Sequence, residues 1–289
     1  MIKPVTAILQ ARVRSTRLPS KVLMDLGGRP LLAFMIERIK RCPDLNQIIL
    51  ATTNHPSDDP LDLLGKKLGL KVVRGCTNDV LDRYFQAAKD TKDSILVRLT
   101  GDCPLIDPQL ISEAIKIFKS EKVDYLSNCF PPSYPDGLDI EVFTKEALEK
   151  AQVNCKDKSQ REHVTPWIRE SGLLKIGTLQ NENDLSSLRW TVDEAKDLTV
   201  VRNIVDHFGG RSDFNWKDVI NLQKNQPILF EANKQFQRNE GASMSEGIKL
   251  WRRAKSVIPG GNMLLSKRSE MFLPDHWPSY FSRAKGCKV

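Results

Sequence analysis

The sequence lacks the spacings that mark several common chemistries. Its six cysteines, Cys42, Cys76, Cys103, Cys129, Cys155 and Cys287, include no Cys-x-x-Cys pair, which argues against a structural zinc site and against a redox motif. Neither Gly-x-Gly-x-x-Gly nor a Walker sequence occurs in the 289 residues, which argues against a dinucleotide enzyme and a P-loop NTPase. No run approaches the ~20 apolar residues of a membrane span. Met1-Ile2-Lys3-Pro4 leads straight into an apolar strand, without the charged-then-apolar design of a signal peptide. Internal repeats, low-complexity tracts and interleaved aromatic and basic residues are also missing, so nucleic acid is not expected as a partner. These absences predict an unanchored protein in a reduced, cytoplasmic setting.

The net charge of +8 does not alter that reading. Residues 241–289 hold 9 Lys/Arg against 3 Asp/Glu and carry +6, so residues 1–240 carry only +2. With 40% hydrophobic residues the chain can bury a sizeable core. Strand-like runs at Val5–Leu9, Ile48–Thr52, Lys71–Val73 and Ile95–Leu99 alternate with helix-like stretches at Leu31–Lys40, Leu61–Leu68, Leu81–Lys89 and Gln109–Phe118. That alternation predicts an α/β fold with a doubly wound, mostly parallel sheet. Asp107 before Pro108 reads as a helix N-cap. The later half is less regular, with short strands expected at Tyr125–Ser127, Leu138–Phe143, Lys175–Leu179 and Leu188–Thr191. Helices are expected at Lys145–Ala151, Glu162–Glu170 and Glu194–Phe208, with a helical C-terminal extension past Phe214.

The segment Gln10-Ala11-Arg12-Val13-Arg14-Ser15-Thr16-Arg17-Leu18-Pro19-Ser20-Lys21 leaves the first strand with four cations. In open α/β sheets ligands collect at the carboxyl ends of strands. There, hydroxyls and backbone N–H groups can face phosphate oxygens while Arg12, Arg14, Arg17 and Lys21 neutralise them. An exposed, solvated basic loop is the alternative.

Further segments stand in order along the chain: Val80-Leu81-Asp82-Arg83-Tyr84, Arg98-Leu99-Thr100-Gly101-Asp102-Cys103-Pro104, Tyr134-Pro135-Asp136-Gly137-Leu138-Asp139-Ile140-Glu141, Arg161-Glu162-His163-Val164-Thr165 and Arg189-Trp190-Thr191-Val192-Asp193. Together with the basic loop they resemble the CTP-using sugar-acid cytidylyltransferases. That group includes the 3-deoxy-manno-octulosonate (KDO) and acylneuraminate enzymes and the spore-coat polysaccharide biosynthesis protein F type. The resemblance covers roughly the first 210 residues and implies a nucleotide-diphospho-sugar transferase-like fold, CTP as substrate, Mg²⁺ as cofactor, a small sugar acid as acceptor and a homodimer. Ser20 departs from the pattern, since many relatives carry glycine there.

Hard cations want a few well-placed carboxylates. Asp102 follows the strand Ile95–Leu99 at the sheet edge that carries the basic loop, which makes it the leading metal ligand; a turn aspartate is the alternative. The resemblance implies Asp193 as a second ligand, with helix capping in reserve. It also places Arg12 and Lys21 at the reacting phosphates, with Gln10, Ala11, Ser15 and Arg17 lining the nucleotide. Thr77, Asn78, Asp82 and Arg83 would lie near the base. Asp136, Asp139 and Glu141 form an acidic cluster suited to a polyol or a second metal, unless they face water from a strand edge. Arg98, Arg161 and His163 complete the expected acceptor pocket, an arginine suiting a sugar carboxylate; a structural histidine is the alternative for His163.

The expected organisation is a nucleotide-binding domain at 1–230, a linker at 231–242 and a separate segment at 243–289. That last segment, with Leu250-Trp251-Arg252-Arg253-Ala254 and Ile258-Pro259-Gly260-Gly261, resembles the opening of a class III aminotransferase of the glutamate-1-semialdehyde aminomutase type. The family's pyridoxal-phosphate lysine would lie far downstream, so no pyridoxal phosphate is expected here.

Overall fold

The computed structural model describes residues 4–236, 238 and 254. The chain divides into two units, Met1–Gln235 and Phe236–Val289, and nearly all described residues lie in the first. The aminotransferase-like segment at 243–289 therefore falls outside the described residues, Ala254 excepted. The strands are β1 (Val5–Gln10), β2 (Asp25–Leu26), β3 (Arg29–Pro30), β4 (Gln47–Thr53), β5 (Lys71–Gly75), β6 (Ile95–Thr100), β7 (Tyr125–Ser127), β8 (Glu141–Thr144) and β9 (Ile176–Thr178). The helices are α1 (Leu31–Ile39), α2 (Asp59–Lys67), α3 (Val80–Lys89), α4 (Pro108–Glu121), α5 (Lys145–Asn154), α6 (Lys158–His163), α7 (Pro166–Glu170), α8 (Ala195–His207) and α9 (Trp216–Asn225). Short 3-10 turns lie at Lys21–Leu23, Pro56–Asp58 and Pro227–Asn233.

Seven strands form one sheet in the order β5-β4-β1-β6-β8-β7-β9, with β8 antiparallel to both its neighbours. β1 is apolar on both faces because helices cover both. Ala7 and Leu9 join the core packed by α1, α4 and α8, while Ile8 joins the core packed by α3, α5 and α7. The doubly wound arrangement follows directly from that two-sided burial. From β1 the chain steps outward to β4 and β5, then returns to place β6 on the other side of β1. The strand order reverses there, and the crevice beyond the carboxyl ends of β1 and β6 is the natural ligand site of such a sheet. Gly101 keeps that crevice tight. Its N–H donates to Gln10 O at 2.8 Å, and a Cβ would stand 3.0 Å from the same oxygen.

Three expected elements differ. The stretch Glu162–Glu170 is not one helix, because Val164 adopts φ 71 and Pro166 has no N–H to continue the ladder, so α6 and α7 are separate. The strand expected from Leu138 starts at Glu141. Before it, Asn128 takes the backbone partners, donating to Leu138 O at 2.8 Å and accepting from Ile140 N at 2.8 Å. Leu188–Thr191 is extended but pairs only through the bridge Asp136↔Arg189. The two segments meet at Gly137, where a Cβ would sit 2.5 Å from Thr191 N. The turn Pro227–Asn233 packs on α8 and buries Phe230 and Asn233, so the first residues of the expected linker belong to this body.

Candidate active site

The basic loop is held from below. Asp58 is 1% exposed, and its carboxylate accepts from Val13 N at 2.8 Å, Thr53 N at 3.1 Å and the Thr52 and Thr53 hydroxyls. It ties the loop after β1 to the end of β4. Inside the loop, Ser15 N and Ser20 N both donate to Val13 O at 2.9 Å. The Ser15 hydroxyl accepts from Leu18 N, a local turn contact. Ser20 takes φ 61, the left-handed conformation that glycine adopts without cost, consistent with the glycine that the family resemblance leads one to expect here. The next residue, Lys21, is thereby turned inward.

Lys21 is 8% exposed and meets Asp102 and Asp193 at the switch point. Its ammonium donates to Val192 O at 2.7 Å and Asp193 Oδ1 at 2.8 Å, and stands 3.7 Å from Asp102 Oδ2. Burial pulls the Lys21 pKa down, but the two carboxylates outweigh it and the net shift is upward. Burial likewise opposes the Asp102 charge, yet Lys21 and neighbouring donors hold this carboxyl below its usual range. The backbone stitches the pair together, since Val192 N and the Thr191 hydroxyl both donate to Asp102 O, at 2.8 and 3.1 Å. Arg17 approaches from the open side, 2.8 Å from Asp193 Oδ2. Asp193 is not a helix cap: Glu194 caps α8, with Asp197 completing a capping box.

Behind Asp193 stands a strut that sequence reasoning did not single out. Arg189, fully bonded and 9% exposed, holds Asp197 in a fork at 2.9 and 2.8 Å and Asp136 at 2.9 Å. Asp197 is completely buried and also accepts from the Asp193 and Glu194 N–H groups. Burial works against its charge, and Arg189 more than compensates, holding the Asp197 carboxyl low. The signal was present in Arg189 and in Asp197 four residues past Asp193, but only the fold shows that they face each other. Asp136 is thus an ion-pair partner of Arg189, while half-buried Asp139 lies near Cys103.

On the other flank, Arg83 is fully buried, and its Nε, Nη1 and Nη2 have no hydrogen-bond partner. Burial pulls the guanidinium below its ordinary range, and the nearby Arg12 charge adds to that. Gln10 Oε1, at the end of β1, is a buried acceptor without a donor. Arg12 itself makes no hydrogen bond or ion pair among the described residues. Buried Ala11 donates its N–H to Ala51 O at 3.2 Å.

Several expected ligand residues are spent elsewhere. Arg161 has partners within the protein. Its Nε donates to Asp79 at 2.8 Å and its other nitrogens to Gln152 Oε1 and the carbonyls of Gln152 and Cys155, pinning α6 to the start of α3. Asp82 accepts from Gln152 Nε2 at 2.9 Å. Glu141, 3% exposed, is saturated by Arg98, the Tyr125 hydroxyl at 2.6 Å and the Thr165 hydroxyl. Burial opposes the charges of Arg98 and Glu141 alike, but their pairing prevails, pushing Arg98 up and Glu141 down. That pair braces β6 against β8 and does not belong to the open cluster. Thr77 and Asn78 sit in the turn between β5 and α3, and His163 is exposed at the end of α6; none has a side-chain partner among the described residues.

Asp102 and Asp193 offer hard oxygen donors around the same Lys21 ammonium. Among the described residues no group of three or more His, Cys, Asp or Glu is set to hold a metal ion. A pair suits a cation that takes the rest of its shell from phosphate oxygens and water.

The mostly parallel sheet, with its basic loop and Lys–Asp–Asp cluster at the switch point, belongs to a nucleotidyltransferase, as the family match and a similar solved cytidylyltransferase show. Within that class the chain belongs to the cytidylyltransferase family, whose model matches residues 6–194. It is 30% identical over 228 residues to the spore coat polysaccharide biosynthesis protein SpsF of Bacillus subtilis, covering 76% of this chain and 94% of that one. The solved structure of a cytidylyltransferase from Leptospira borgpetersenii is 34% identical with a TM-score of 0.76, across 81% of this chain and 99% of that one. A CMP:2-keto-3-deoxy-manno-octonic acid synthetase complexed with CTP shares the fold at 17% identity, with a TM-score of 0.56 over 71% of this chain and 99% of that one. Among the described residues, no helix is long and apolar enough to cross a membrane.

Proposed function

We propose that this protein moves CMP from CTP to a sugar acid of the 3-deoxy-2-ulosonic type, releasing pyrophosphate, for surface polysaccharide synthesis. The observation that carries the reading is the convergence of Lys21, Asp102 and Asp193 at the switch point. The acceptor oxygen attacks the α-phosphorus in line, and Arg12 and Lys21 stabilise the charge passing to pyrophosphate. Arg17 and Arg14 extend the cationic wall along the triphosphate. Asp102 and Asp193 would hold Mg²⁺, which would supply charge screening on the phosphates. The unpartnered donors of Arg83 suit the O2 and N3 acceptors of cytosine, and Gln10 Oε1 suits its amino group, a pattern that uracil reverses at N3 and position 4.

Arg161 is engaged by Asp79 and Gln152, which leaves less of its charge for an acceptor carboxylate. A phosphorylated small molecule giving a CDP-linked product is therefore the second reading. Both are tested by pyrophosphate release from CTP, UTP, GTP and ATP with Mg²⁺ over a panel of sugar acids and sugar phosphates. CTP-dependent release that falls at least about 100-fold in Asp102→Ala is expected, the scale of losing an electrostatic stabiliser. Release from a different nucleotide, or an undiminished mutant, would refute the assignment.

A further inference from the structure

The two carboxylates assigned to a divalent cation already have cations on them. Asp193 Oδ1 faces Lys21 Nζ at 2.8 Å, while its Oδ2 faces Arg17 Nη2 at 2.8 Å and Arg189 Nη2 at 3.8 Å. Asp102 Oδ2 looks onto the same Lys21 ammonium at 3.7 Å, and its Oδ1 accepts the Cys103 thiol at 3.5 Å. The ammonium is committed too: it donates to Val192 O at 2.7 Å and Asp193 Oδ1 at 2.8 Å, pairs electrostatically with Asp102 and sees little water. A divalent ion cannot join this arrangement without pressing against an ammonium at short range in a poorly screened setting. One of the two cations must leave. The groups that can draw Lys21 and Arg17 off are anionic and come from the open side, where the Arg17 side chain is 34% exposed.

We propose that Lys21 and Arg17 keep the Asp102–Asp193 pair closed to free divalent ions and yield it only when a triphosphate arrives to take their charge. Metal and nucleotide then enter as one unit, and the protein does not hold the metal between turnovers. The proposal rests on the metal assignment above.

The test is Mn²⁺ binding to the full chain without nucleotide, read from the electron paramagnetic resonance signal of free Mn²⁺. Weak binding is expected for the wild type. Lys21→Met and Lys21→Gln should bind Mn²⁺ about tenfold or more tightly, because the competing bound state is removed. Arg17→Gln should show a smaller gain in the same direction. Adding Asp102→Asn to Lys21→Gln should abolish the gain, which places it at this pair. Should Lys21→Met not fold, the Gln variant and Arg17→Gln carry the same comparison. Folded variants that bind Mn²⁺ no better than wild type, or a wild type that binds it tightly alone, would overturn the proposal. Pyrophosphate release by the wild type reports separately on the cytidylyltransferase reading. A Mn²⁺ gain in the variants without any CTP turnover would support the cation competition while discarding the substrate.

Discussion

Arg83 sets the residue scale. A fully buried guanidinium with three unbonded nitrogens is a destabilising arrangement unless a ligand completes it. Replacing it with methionine, a flexible side chain that fills the space, should stabilise the ligand-free fold by about 1 kcal/mol or more while raising KM for CTP at least about tenfold. A thermal melt and a CTP titration measure both halves; a less stable variant with unchanged KM would make Arg83 a structural residue. The motif Val80–Tyr84 made Arg83 visible in the sequence as a nucleotide-site candidate. The neighbouring candidates Asp82 and Arg161 were equally visible, but residue type gives no information on the protein partners, Gln152 and Asp79, that they find in the fold. Arg161 finds Asp79 across 82 positions of chain, and no local pattern contains that pairing.

At the scale of elements, the parallel strands were readable because burial on both faces leaves unbroken apolar runs, and the helices between them because one stripe is apolar. The breaks were not. Val164 at φ 71 and the Asn128 side chain that replaces a strand ladder before Glu141 are tertiary choices, against which β-propensity carries little weight. The phosphate-facing loop shows the same limit. Its cations are plain in the sequence, whereas the carboxylate that shapes it, Asp58, lies 45 residues from Val13. Asp58→Asn puts an N–H₂ group where donors already converge. It should cost about 1–3 kcal/mol and raise KM for CTP about tenfold, with kcat changed less, because the loop is displaced rather than stripped of charge. Steady-state kinetics beside a urea melt separate the two effects; equal loss in kcat and none in KM would show that the clamp does not position the nucleotide.

At the scale of the whole described body, residues 4–235, buried ion pairs that no composition count reveals brace the fold. Asp102, Glu141 and Asp197 all have carboxyls held below their usual range by Lys21, Arg98 and Arg189. A depressed folded-state pKa adds stability that is complete above the unfolded value, about 4, and is lost as pH falls below it toward the folded one. Urea midpoints should therefore hold steady from neutral pH down to about 5 and fall steeply below about 4. Asp197→Asn should lower the neutral-pH midpoint, at a cost of at least about 2 kcal/mol, and flatten that acid limb. An acid limb unchanged in the variant would locate the titration elsewhere. The fold class emerged from the sequence because it depends on periodicity, and with it the placement of the basic loop at a strand's carboxyl end; these braces depend on long-range meetings and did not. One such meeting bears on where the protein can be cut. Asn233 donates to Arg189 O at 3.1 Å and to Asp197 Oδ1 at 2.9 Å, so a residue 39 positions past the end of the family match closes the strut behind Asp193. A fragment trimmed to residues 6–194 would keep the recognisable motifs and lose α8, Asp197 and this clasp. The smallest piece worth expressing for crystallography or engineering runs at least through Lys234.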